Sequence, residues 1–91
     1  ASDLSGAVLA NCDMRKCLLG GADLTGADLS GANLDMAWLA EANFCEARLA
    51  NATLRKTFLR NCRFLDAVFE SADLSWAKGE KTAFHQARAV Q

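Results

Sequence analysis

An all-β solenoid wound as a square coil is the fold this chain predicts, on three observations. Every fifth residue counted from Leu4 is large and apolar: of eighteen such sites, eleven are Leu, four are Phe (Phe44, Phe64, Phe69, Phe84) and one is Met14, the exceptions being Gly79 and Ala89. Two residues before each site the side chain is small, Ala twelve times and otherwise Ser2, Cys12, Cys17, Thr57, Cys62 or Thr82. No insertion breaks this register anywhere along the 91 residues. A period of five fits neither the helical period of about 3.6 nor the strand period of about 2. It asks for a backbone that turns a right angle every five residues, so that each pentad forms one side of a coil and points one large and one small residue inward. Burying each Leu or Phe is worth about 1.5–3 kcal/mol. The small partner is needed because a narrow coil has no room for two large side chains per side.

Composition narrows the function. Hydrophobic residues make up 52% and charged residues 23%, which argues against disorder. No apolar run approaches the roughly 18–20 residues of a membrane span, and no secretion signal is visible. Ten basic against eleven acidic side chains leave a net charge of −1, which names no partner by bulk electrostatics. One histidine, His85, and no tyrosine make the inventory poor in catalytic groups, and no nucleophile arrangement or phosphate loop stands out. The sequence therefore predicts a non-enzyme without cofactor or metal.

The repeating units themselves, such as Ala22-Asp23-Leu24-Thr25-Gly26 and Ala27-Asp28-Leu29-Ser30-Gly31, follow an A-(D/N)-L-x-x pattern that resembles the pentapeptide-repeat family over residues 1–88. The resemblance implies a right-handed quadrilateral β-helix with four pentads per coil, hence about four and a half coils in a single domain over 1–91. Family membership constrains function far less than fold. Some members that protect DNA gyrase look like DNA in shape and charge, and others are repeat segments of bacterial secreted effectors. A DNA mimic needs a long, strongly acidic rod, and this chain departs from that pattern.

With four pentads per coil, residues twenty apart stack. The first side then buries Leu4, Leu24, Phe44, Phe64 and Phe84, a phenylalanine ladder, and carries Asp3, Asp23, Glu46 and Asp66 outside against Arg63 alone. The second buries Leu9, Leu29, Leu49 and Phe69 and is balanced in charge. The third buries Met14, Leu34, Leu54 and Leu74, and the fourth Leu19, Leu39 and Leu59. Each of these last two carries one excess positive charge, from residues including Arg15, Lys16, Arg55, Lys56, Arg60 and Lys78.

One outward column on the fourth side breaks the polar rule: Leu18, Trp38, Phe58, then Lys78. The corner leading into it carries Lys16, Met36, Lys56 and Trp76. Aromatic pairs in register stabilise stacked strands, which is the structural reading of this column. The functional reading is a contact surface for an unknown protein partner, made of Lys16, Leu18, Met36, Trp38, Arg55, Lys56, Phe58 and Trp76, because Trp, Met and Arg are enriched in interface cores. Nucleic acid is not expected there, since Asp35 and Glu41 lie within the patch.

Remaining features have structural readings. Asp and Asn before the central Leu bond nearby backbone amides. Gly6, Gly21, Gly26 and Gly31 sit at corners that call for positive φ. Cys12, Cys17 and Cys62 occupy the small inward slot, whereas Cys45 should point outward, so a thiol reagent is expected to label Cys45 alone rapidly. Free thiols favour a cytoplasmic setting. The first coil presents a bare edge, which suggests either a piece of a longer protein or self-association through coil ends. For residues 77–91 the pattern decays. The pentad register predicts continued coil with Phe84 on Phe64 and His85 outside, against a capping helix over Glu80–Val90.

Overall fold

The computed structural model describes residues 2–79. Its backbone is linked by parallel bridges between residues twenty apart: Asp3 to Asp23 to Asn43 to Arg63, Val8 to Asp28 to Arg48 to Val68, Asp13 to Asn33 to Thr53 to Asp73, and Leu18 to Trp38 to Phe58 to Lys78. Four such columns make a four-sided coil with one pentad per side. Each side contributes one bridge residue rather than an extended strand, because the chain must turn again within three residues. Coils are tied by evenly placed amide bonds, such as Leu24 N–H to Asn43 O (2.7 Å) and Asp28 N–H to Ala7 O (2.9 Å). The phenylalanine, coil and helix expectations for Phe84, His85 and the rest of 80–91 lie outside the described residues.

The corners explain the period. The small residue's N–H donates to the carbonyl of the preceding central residue, as from Ala27 to Leu24 (3.0 Å) and Ala47 to Phe44 (2.9 Å). The residue two past the central one is left-handed at all fifteen corners from Gly6 to Trp76, with φ between 58° and 70°. Positive φ at the third residue of a turn is the mark of type II. Glycine fills four of these corners, as its conformational freedom suggests, yet eleven are occupied by other residues, including Lys16, Met36, Glu46, Lys56 and Trp76. An L-residue there gives up about 1–2 kcal/mol, which the buried inward pair on each side offsets. None of the fifteen is β-branched, the class that tolerates this region least.

Inside, the alternation is complete in the middle of the rod. Every inward pair from Ala22 and Leu24 through Ala67 and Phe69 is buried. Phe44 and Phe64 stack with ring centroids 4.9 Å apart and planes within 9°, and Phe69 leans on Phe64 at 4.9 Å. Thr57, the polar exception in the small slot, satisfies its hydroxyl on Leu54 O at 2.9 Å. The inward residues of the first coil, from Leu4 to Leu19, are only half-buried, since no described coil lies beneath them. Among the described residues the amides of Asp3, Val8, Asp13 and Leu18 have no acceptor. No helix among these residues is long and apolar enough to cross a membrane.

The cysteines require a correction. Cys45 is buried rather than accessible, in a column that runs Thr25, Cys45, Leu65 with a coil on either side. Cys12 and Cys17 belong to the uncovered first coil and are half-buried. Cys62 is fully buried and its thiol donates to Leu39 O at 2.9 Å. Burial pushes its pKa up to about 11, which keeps it protonated and unreactive. Native-state labelling is therefore expected to reach Cys12 and Cys17 first and Cys62 last. Mass-resolved kinetics with Cys62 or Cys45 leading would contradict this register.

Outward Asp and Asn side chains brace the turns. Oδ1 of Asp3, Asp13, Asp23, Asp28, Asn33, Asn43 and Asp73 accepts the N–H two residues on, at 2.9–3.2 Å. Hydrogen bonds from Ser5 and Ser75 hold Asp3 and Asp73 below the ordinary carboxyl value, and those from Arg15 bring Asp13 to about 2. A carboxyl whose pKa is lower in the folded chain contributes its full stabilisation above the unfolded value of 3.8 and loses it as pH falls through the folded value. These groups are exposed, so each contribution is modest. The melting temperature should be insensitive to them near neutrality and fall between about pH 4 and pH 2. Melts that stay level across that acid window would refute the assignment.

Candidate functional site

The bridge register that stacks the coils also lines up the outward column of the fourth side. Leu18 is 83% exposed, Trp38 48% and Phe58 38%, so three large apolar side chains follow one another up the rod in solvent. Trp38 and Phe58 meet with centroids 5.2 Å apart at 38°. Lys78 ends the column with Nζ 5.9 Å from the Phe58 centroid, a cation–π contact. Two residues earlier along each coil, the left-handed corner presents Lys16, Met36, Lys56 and Trp76. Trp76 is 71% exposed and lies under Lys56 Nζ at 5.9 Å.

The structure thus brings Leu18, Trp38 and Phe58 together, and sets Met36, Lys56 and Trp76 along the adjoining corner. Arg55 stands one step further round, where its N–H bonds Asp35 Oδ1 of the coil below at 3.0 Å. Lys16 lies beside Arg15, whose guanidinium is engaged by Asp13 at 2.8 Å. The ladder of ring contacts serves coil stacking, yet a purely internal ladder would not leave Trp38 and Trp76 this exposed.

Sequence reasoning missed the other bank of this face. Gly20 and Ala40 occupy the same column as Arg60 and carry almost no side chain beside Trp38. The indole lies low over Gly20, where an added Cβ would stand 3.1 Å from Trp38 Cδ1 and Nε1. A shallow recess follows, running from Gly20 past Ala40 to Arg60 and continuing between Phe58 and Lys78. The signal is the run of small residues in one outward column, which carries no meaning until the direction of the indole is known. Among the described residues no group of three His, Cys, Asp or Glu is placed to hold a metal ion.

The chain resembles solved structures of matching architecture. A pentapeptide repeat protein from the thylakoid lumen of Arabidopsis thaliana superposes with a TM-score of 0.85 at 27% identity, covering 89% of this chain and 57% of that one. Rfr23, a pentapeptide repeat protein of the cyanobacterium Cyanothece 51142, gives 0.68 at 35% identity over 90% of this chain and 53% of its own. QnrB1, a plasmid-mediated fluoroquinolone resistance protein, gives 0.75 at 24% identity over 86% and 38%. The chain spans about half the length of the first two and less of the third. No curated protein matches it. These neighbours imply a right-handed quadrilateral β-helix, and no enzymatic family is indicated. Pentapeptide repeats match in eight copies over residues 2–37, 37–64 and 47–78, so the chain belongs to the pentapeptide-repeat family.

Proposed function

We propose that this chain is a non-enzymatic scaffold, one domain of about four and a half coils, that binds another protein through its fourth side and the corner leading into it. The observation that carries this reading is the exposed run of Leu18, Trp38 and Phe58 with Trp76 beside it, flanked by Lys56 and Lys78. Exposed apolar side chains in a contiguous strip mark contact surfaces more often than isolated ones do. A rigid solenoid suits the role, because outward residues change without disturbing the inward pairs. The experiment is affinity capture from a lysate by the chain and by a Trp38→Ala/Phe58→Ala variant, with retained fold checked by circular dichroism. A partner held by the first and lost from the second supports the reading; partners retained equally by both refute it.

A further inference from the structure

The recess on the fourth side has a directional chemistry. One bank is apolar, made by Trp38 and Phe58; the floor is nearly bare backbone at Gly20 and Ala40; and the upper end is cationic, with Arg60 and Lys78. Neither Arg60 nor Lys78 forms an ion pair with any described residue, so both charges are available to a ligand. Glu41, at the lower end, is the one carboxylate lining the recess. An extended chain fits this layout, since Trp38 and Lys78 lie two coils apart, about 10 Å, a span that an extended peptide covers in about three residues. Nucleic acid matches it less well. Stacking a base requires an open ring face, whereas within the recess Trp38 and Phe58 lean on each other and Phe58 also takes the Lys78 ammonium.

We propose that this recess takes an acidic, extended peptide segment of the partner, with an apolar side chain against Trp38 and Phe58 and carboxylates on Arg60 and Lys78. The proposal rests on the reading of the fourth side as a protein-binding surface and adds the chemistry of what it binds. Charge complementarity at an exposed rim of this kind acts on association and weakens with salt.

The test is selection of binders from a random twelve-residue peptide display library on the immobilised 91-residue chain. Recovered peptides are then synthesised and titrated by fluorescence anisotropy, beside a labelled twelve-nucleotide oligothymidylate. The expected result is enrichment of Asp and Glu around an apolar residue. Affinity should fall at least tenfold in Arg60→Glu/Lys78→Glu and weaken several-fold between low and high salt. Both side chains lie outside the core, and slow Cys62 labelling in the variant verifies its fold. Binders without net negative charge that are lost in Trp38→Ala/Phe58→Ala overturn the acidic partner and leave the surface reading standing. Binders indifferent to both variants overturn both. Recovery of no binder, or oligothymidylate binding that Arg60→Glu/Lys78→Glu abolishes, overturns the proposal.

Discussion

Replacing Phe64 by Ala is expected to lower stability by about 3–5 kcal/mol, the range for truncating a buried aromatic. Phe64 has no solvent exposure and is gripped from two directions: Phe44 lies flat against it from the coil below, and Phe69 tilts onto it from the next side. The backbone around it cannot collapse into the gap, because its turn is held by Ala67 N–H to Phe64 O at 2.9 Å and its coil by Phe44 N–H to Arg63 O at 2.7 Å. A cavity therefore persists, and the transfer and packing losses add. Domains of this size have about 5–15 kcal/mol in all, so a large fraction of the margin disappears. Urea denaturation followed by circular dichroism measures it. A loss below about 1 kcal/mol would mean that the ring stack is ornamental to stability.

Enlarging the small inward slot should be nearly as damaging. Ala47 sits in a column of Ala7, Ala27, Ala47 and Ala67, the last three fully buried. A leucine at 47 would meet Leu49 on its own side and the alanines of the coils above and below, with the backbone fixed by Val68 N–H to Ala47 O at 3.0 Å and Arg48 N–H to Ala27 O at 2.9 Å. Overpacking of this kind costs about 1–3 kcal/mol and more where the backbone cannot yield. The same leucine one residue later, at exposed Arg48, should change stability by no more than about 0.5 kcal/mol. The contrast between Ala47→Leu and Arg48→Leu in one set of melts isolates the inward slot. Equal effects at the two positions would remove the alternation on which the fold rests.

Both experiments depend on features legible in one dimension. Leu, Phe or Met at every fifth position, with Ala, Cys or Thr two before, announces which side chains point inward, since only a coil of small cross-section imposes that pairing. The stacking of residues twenty apart came from family resemblance, and the bridges bear it out, Phe44 on Phe64 included. The Asx residues were legible too, because an acceptor on the side chain two residues before an amide has a local target.

Three matters were decided only in three dimensions, each because it depends on what lies above or below in the stack rather than along the chain. The place of Cys45 in the pentad predicts an accessible thiol, yet it is buried, because burial in a solenoid also depends on the coils above and below. Cys12 and Cys17 looked inward and are only half-covered, because an inward residue needs a coil on each side. The recess beside Trp38 exists because the indole bends over Gly20, a rotamer choice that no period encodes. The sequence by itself determined the repeat, the inward pairs and the corners, since those follow from the steric needs of a single pentad. The tertiary structure decided exposure and surface shape, since those are set by neighbours twenty residues away.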